Sequence, residues 1–226
     1  MALEKAFVPF GCYWSTPFCR WQGSFANLHS LKFAAECAQR ALGERKVPVE
    51  ALETIVLGWT VPQKSAFYGA PWVAGMIGAP GITGPMIGQA CATSAKCVQT
   101  AAYEVEAGAS RVTLVVTADR CSNGPHLYHP NPMGPGGTGE KEDWVLDNFG
   151  NDPFAKNAMI DTAENCAREH KVSKGEQDEM TLLRERQYRD ATANDQAFQK
   201  SYMLLPVEVK DPSGRKLLGT VKGDEG

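Results

Sequence analysis

The sequence predicts an α/β layered domain, and three observations carry that expectation. Arg111–Ala118 (RVTLVVTA) is a β-branched run, apolar on both faces, as suits a central parallel strand covered by helices. A helix over Ala92–Ala107, stopped at Gly108, comes just before it. Met86–Ala90 leads into that helix, so strand, helix and strand follow one another at the spacing of a crossover unit.

The elements upstream continue the alternation. Ala6–Pro9 reads as a short strand. Asn27 or Ser30 caps a helix through Arg40, with Leu31, Ala34, Ala35, Ala38 and Leu42 on one face. Thr54–Trp59 is a short apolar run, and Ser65–Ile77 a helix interrupted by Gly69, Pro71 and Gly75. The style changes after Asp119. Cys121 to Asn157 is rich in Gly, Pro and Asn and reads as a long excursion outside the sheet, of the kind that is functional or packed on a partner. A helix follows over about Asp161–His170. Another begins at Ser173, where Glu176 completes a capping box, and runs to about Asp190 with Met180, Leu183 and Tyr188 on its apolar side. Leu205–Lys210 is a late strand. The domains expected are a core over 1–120 and an insertion over 121–226.

Bulk properties exclude several function classes. With 226 residues the chain can bury a sizeable core. The 23 basic and 26 acidic residues give a net charge of −3 without a basic stripe, so nucleic-acid binding has no electrostatic support. No apolar run approaches the ~20 residues a membrane helix needs. Met1 to Cys12 lacks the basic start and apolar stretch of a signal peptide. Seven irregularly spaced cysteines suit reduced thiols in the cytoplasm.

The candidate chemistry sits in Gly88-Gln89-Ala90-Cys91-Ala92-Thr93-Ser94-Ala95. A cysteine between a buried strand and a helix start meets N–H groups and a macrodipole that favour negative charge, hence a thiolate nucleophile. Small neighbours let an acyl group approach, and the Cys91 N–H can supply half of an oxyanion hole. The competing reading is a buried structural cysteine at a tight turn.

Three stretches resemble the thiolase family. Ser15-Thr16-Pro17-Phe18-Cys19-Arg20-Trp21-Gln22-Gly23 is similar to its opening Arg-Thr-Pro-Phe-Gly-Arg, aromatic, Gly-Gly. Cys91, followed by a helix ending in Ala107-Gly108 and then by RVTLVVTA, resembles its Cys-Gly-Ser-Gly segment and the strand after it. Thr162-Ala163-Glu164-Asn165, then SKGEQDE from Ser173 to Glu179, then Pro206-Val207-Glu208-Val209, resembles its loop domain.

The resemblance implies a thiolase-like layered αβαβα domain with an inserted, mostly helical loop domain that covers bound CoA. It implies thiolysis of a 3-ketoacyl-CoA, or the reverse Claisen condensation, through an acyl intermediate on catalytic Cys91. Met159 would face the thioester as a substrate- and CoA-binding residue. Glu164 and Asn165 would brace the loop-domain helices. Acyl-CoA and CoA are then substrates, with no permanently bound cofactor and no metal, and a homo-oligomer is expected.

Departures from the family pattern fall near the acyl end of the pocket. Gly88 stands for an Asn, Ala92-Thr93-Ser94 for Gly-Ser-Gly, Ala158 for a His, and Ile160-Asp161 for a Gly after the Met. They suggest a bulky or aromatic acyl-CoA such as benzoylsuccinyl-CoA, whose thiolases resemble complexes with a small zinc-containing subunit. The Gly-His-Pro, Asn-Glu and second cysteine motifs of the family's second half do not occur in the chain. The working enzyme is therefore expected to draw that half from a continuation or a separate chain. The alternative is a non-catalytic thiolase-fold subunit that binds acyl-CoA or a partner. A ketosynthase-like condensing enzyme is opposed by the loop-domain signature.

Other constellations carry less. Cys121, His126 and His129 are spaced too loosely for a zinc site and fall one ligand short. Cys166 and His170 share a helix face but no strand-to-helix junction. Cys97 points to a different helix face from Cys91 and is expected to be buried, and Cys12 and Cys19 flank an aromatic-rich segment without a motif. Gly134–Gly139 resembles a phosphate loop in composition only.

Overall fold

A computed structural model describes residues 3–211 and 213–225, and the chain forms two compact units, 1–123 with 202–226 and 124–201.

The first unit is built on a parallel three-stranded sheet among the described residues. Its elements run α1 (Ser30–Glu44), β1 (Thr54–Gly58), α2 (Gly69–Met76), β2 (Met86–Ile87), α3 (Thr93–Glu106) and β3 (Thr113–Thr117). The strand order is β2-β1-β3, with Leu57 opposite Met86 and Ile55 to Gly58 opposite Leu114 to Thr117. The expected strand at Arg111–Ala118 forms, but β1 and not β3 takes the centre. Ile55, Val56 and Leu57 of β1 are fully buried, whereas β3 alternates between buried and partly exposed positions.

Side-chain alternation sorts the helices between the two faces. Ile55 and Leu57 with Leu114 and Val116 pack against Leu31, Ala35 and Ala38 of α1 and Ala70, Val73 and Ala74 of α2. Val56, with Ile87 and Val115, packs against Cys97 and Ala101 of α3. Removing each large aliphatic side chain from water contributes about 1.5–3 kcal/mol. Two parallel neighbours joined through helices on opposite faces are what right-handed crossovers produce.

Local chemistry explains the element ends. The α1 cap is His29, with extended backbone and no side-chain cap, so Ser30 is the first helical residue; the helix continues past Arg40 to Glu44. α3 stops where expected. Gly108 adopts φ +74°, a left-handed conformation that glycine takes without penalty, and its N–H donates to the Val105 carbonyl. The strand expected at Ala6–Pro9 does not form. The N–H groups of Glu4, Lys5 and Ala6 instead donate to Oε2 of Glu106 at the end of α3 (3.0, 2.9 and 3.3 Å).

Residues 202–225 belong to this unit, which moves the boundary expected between the core and an insertion reaching 226. β6 (Val207–Lys210) pairs antiparallel with β7 (Leu217–Val221), a strand that the sequence did not suggest. Val207, Val209 and Val221 pack with Cys19, Phe25, Leu28 and Phe33. The Arg40 guanidinium donates to the carbonyls of Leu205 (2.9 Å) and Pro206 (2.7 Å), and Ser15 bridges Met203. Glu225 accepts from the N–H and hydroxyl of Ser24, and Asp224 accepts from the Phe18 N–H.

The second unit opens with a hairpin, which lies outside the parallel sheet as expected of the excursion. β4 (His126–Pro130) pairs with β5 (Gly139–Asp143), and the Gly/Pro-rich stretch is its connection. α4 (Leu146–Gly150), α5 (Met159–Glu169) and α6 (Lys174–Lys200) follow. The capping box is present: the Ser173 hydroxyl accepts from the Glu176 N–H (3.2 Å) while Glu176 accepts from the Ser173 N–H (2.7 Å). α6 runs past the expected Asp190 and is interrupted at Ala193–Gln196, where Asn194, Asp195 and Gln196 all have positive φ. Met180, Leu183 and Tyr188, the expected apolar side, lie exposed.

Two cysteines of the first unit are held as neutral thiols. Burial pushes Cys37 up to about 12, and burial together with the Glu225 carboxylate pushes Cys19 up to about 12. Both thiols are expected to resist iodoacetamide at pH 8 in the native chain and to react in urea, while exposed Cys166 reacts in both; site-resolved mass spectrometry reads the difference. Equal native labelling of Cys37 and Cys166 would contradict this packing. A second expectation concerns Gly58. A Cβ there would lie 2.6 Å from Sγ of Cys97, 2.8 Å from Cγ2 of Thr93 and 2.9 Å from Cγ2 of Thr117. Gly58→Ala should therefore destabilise the unit by about 1–3 kcal/mol in urea titration, because α3 cannot keep its approach to β1.

Candidate active site

Cys91 occupies the middle of a single 3-10 turn, Ala90–Ala92, between β2 and α3. Three features shape this turn. Gln89 is in an irregular conformation (φ −145°, ψ 42°), and Ala90 follows at φ +44°, a region that a residue with a Cβ enters against steric resistance. The Ala92 N–H then donates to the Gln89 carbonyl (3.0 Å), and the Thr93 N–H to the Ala90 carbonyl. Finally, the buried Thr93 hydroxyl accepts from the Gln89 N–H (2.7 Å) and donates to the Ala90 carbonyl (2.8 Å). Gly88 to Ala92 are exposed, and so is Cys91 itself. The structural reading of a buried cysteine at a tight turn is thereby corrected: the turn is tight and the cysteine is open.

The turn lies at the carboxyl end of the parallel strands, where open α/β sheets place their ligands. Asp119, two residues beyond β3, organises the same end. Its carboxylate accepts from the N–H groups of Thr60 and Val61 and from the Thr60 hydroxyl (2.6 Å), tying the segment after β1 to the segment after β3. Cys121 follows. Its thiol is pushed up first by burial, then by Asp119 and by Cys91, which places the two cysteines within electrostatic reach of each other. Arg120 donates to the carbonyls of Leu28 (2.6 Å) and Asn123 (2.9 Å).

The remaining candidates fall elsewhere. Met159 is the first residue of α5 in the second unit and is exposed, its helix start held by Asp161 accepting from the Ala158 N–H (3.0 Å). Cys97 is buried against β1, as its helix position suggested. His126 and His129 each face a carboxylate across the hairpin, Asp143 at 3.7 Å and Glu142 at 2.7 Å, and no group of metal-ligating side chains forms among the described residues. Cys166 is exposed on α5, and His170 is the residue that ends that helix. Gly134–Gly139 turns from β4 to β5 and opens no helix.

Sequence reasoning missed Thr93, Asp119 and the approach of Cys121. Only the first carried a readable signal, a hydroxyl residue at a helix start. Asp119 reaches Thr60 and Val61 across 58 to 59 residues because β1 and β3 are adjacent, and Cys121 follows β3 to the same sheet end, neither of which local patterns reveal.

Residues 14–226 match the family described as thiolase, N-terminal domain. The chain is 26% identical over 212 residues to the mitochondrial acetyl-CoA acetyltransferase of Gibberella zeae, covering 92% of this chain and 48% of that protein. It is 26% identical over 207 residues to the mitochondrial 3-ketoacyl-CoA thiolase of Bos taurus, covering 90% and 51%. Among solved structures, the Bacillus anthracis acetyl-CoA acetyltransferase superposes with a TM-score of 0.79 at 23% identity, over 93% of this chain and 52% of that one. The human mitochondrial 3-ketoacyl-CoA thiolase in complex with CoA gives 0.77 at 24% identity, over 93% and 51%. This chain thus spans about half the length of the curated relatives it matches. The match over residues 14–226, borne by a parallel sheet with exposed Cys91 on the turn at its carboxyl end, makes the chain a member of the thiolase family, in its N-terminal domain.

Proposed function

We propose that this chain supplies the nucleophilic half of a thiolase-type acyl-CoA acyltransferase, with Cys91 as the residue that is acylated. The observation that carries the reading is an exposed cysteine on the turn before α3, at the carboxyl end of a parallel sheet. In the cleavage direction the Cys91 thiolate attacks the keto carbon of a 3-ketoacyl-CoA. The alkoxide collapses, the bond between that carbon and the α carbon breaks, and the acyl group stays on sulfur. The departing enolate keeps the original CoA thioester, takes a proton on its α carbon and leaves as the first acyl-CoA product. A CoA thiol then attacks the acyl-cysteine, giving the second acyl-CoA and returning the thiolate. The Cys91 N–H, just ahead of α3, suits one donor of the oxyanion hole. The proton on the α carbon requires a second acid–base group, which family resemblance assigns to the other half. CoA is substrate and product in this scheme, not a resident cofactor.

Finer features follow from the departures at Gly88, Ala92, Thr93, Ser94, Ala158 and Ile160. They support a substrate bulkier than acetoacetyl-CoA, with an aromatic acyl-CoA such as benzoylsuccinyl-CoA as the specific candidate. Met159, exposed at the start of α5, is the residue proposed to contact the thioester. The chain is proposed to act in the cytoplasm within a homo-oligomer, together with the second thiolase half and, on the benzoylsuccinyl-CoA reading, a small zinc-containing subunit.

The test is denaturing mass spectrometry of the protein before and after incubation with a panel of acyl-CoAs. One acyl group on Cys91 is expected, its mass naming the substrate class, and Cys91→Ser should lower acyl transfer by on the order of 10³-fold or more. Acylation that persists undiminished in Cys91→Ser would remove Cys91 from the mechanism. Absence of acylation with every thioester would favour a non-catalytic acyl-CoA-binding subunit.

A further inference from the structure

We propose that Thr93 is a positioning residue for Cys91: its hydroxyl, and not its bulk, holds the turn that presents the thiol at the start of α3. The proposal rests on the reading of Cys91 as the acylated nucleophile and adds a residue that acts through it.

The hydrogen bonds distinguish this role from ordinary helix capping. A capping hydroxyl precedes its helix and accepts from an N–H inside the first turn. Thr93 is already the first residue of α3, and its Oγ1 reaches backwards, accepting from the Gln89 N–H at 2.7 Å and donating to the Ala90 carbonyl at 2.8 Å. Its one donor is thus used, and one acceptor lone pair with it. The groups it holds belong to the two residues immediately before Cys91. Ala90 needs such a hold, since its φ of +44° is one that only surrounding structure can maintain for a residue with a Cβ. Thr93 is 5% exposed, so water does not readily replace the lost bonds if the hydroxyl is removed.

The side chain also divides its two tasks between its two branches. The Cγ2 methyl lies against β1, 2.8 Å from where a Gly58 Cβ would stand, so it packs on the strand while the hydroxyl holds the turn. Thr93→Val keeps the packing and loses the hydroxyl; Thr93→Ser keeps the hydroxyl and loses the packing. A merely structural role would make Ser the more damaging change, and a positioning role makes it Val.

The experiment measures site-resolved alkylation of the full chain by iodoacetamide, with Cys166 as internal reference. The Cys91-to-Cys166 rate ratio is expected to fall on the order of 10-fold in Thr93→Val and to stay within about twofold of wild type in Thr93→Ser. An unchanged ratio in Thr93→Val, or an equal fall in both variants, overturns the proposal. If circular dichroism shows Thr93→Val unfolded, Thr93→Ala replaces it: Ala and Ser both lack the methyl and differ in the hydroxyl, so equal ratios again overturn it. The alkylation readout needs no thioester. A wild type that no acyl-CoA acylates, with the alkylation ratios as expected, therefore sinks the thiolase reading and leaves the positioning role standing.

Discussion

The first unit depends on β1 being buried on both faces. Ile55, Val56 and Leu57 are completely removed from water, and a strand in that position must be covered by helices above and below. α1 and α2 take one face and α3 takes the other. The price of that close cover is Gly58, where any side chain would collide with Cys97 and Thr93 of α3 and with Thr117 of β3. The position of the α3 N-terminus is therefore fixed by the core, and with it the turn that carries Cys91. The placement of Cys91 is a consequence of packing one strand.

The same constraint explains the chemistry at the edge of the sheet. Parallel strands leave their carboxyl ends pointing the same way, so segments distant in sequence gather there. Asp119 uses this by accepting from the backbone after β1, and Cys121 comes within electrostatic reach of Cys91. Desolvation and the Asp119 carboxylate both push the Cys121 thiol up. Division of labour follows: of the two cysteines, the one on the helix-start turn has the setting of a nucleophile, and the other stays neutral beside it.

Much of the core was legible because its signals are local. The β-branched run at Arg111–Ala118, the apolar run at Thr54–Trp59 and the helix ended by Gly108 each follow from a few adjacent residues. One reading failed and two features were missed, each for a physical reason. Ala6–Pro9 has strand-like composition, but the chain leading into it is held by the Glu106 carboxylate, which accepts from the N–H groups of Glu4, Lys5 and Ala6. The hairpin within Cys121–Asn157 was missed because Gly and Pro dominate its connection and its strands are short and polar. Leu217–Val221 pairs with β6 across a turn, and its burial falls on Val221 alone, too little to leave a period. The domain boundary moved because Arg40, Phe25 and Phe33, far upstream, supply the partners of residues 205–221.

The site was legible to a different depth at each position. Cys91 could be read because a cysteine at a strand-to-helix junction is an unusual arrangement with one strong chemical use. Thr93 carried only a weak signal, since a hydroxyl residue at a helix start is commonplace and only the structure distinguishes a cap from a backward hold. This difference bears on how the motif can vary. Gly88, Ala92 and Ser94, which depart from the family pattern, are exposed in the segment around Cys91. Thr93 is buried, and its hydrogen bonds go to backbone atoms that every residue type carries. The exposed positions are therefore free to change what the site accepts while the turn keeps its shape. On the proposed function, the altered neighbours of Cys91 bear on what the site accepts and not on how the thiol is presented, because the hydrogen bonds that hold the turn involve none of the exposed side chains that changed.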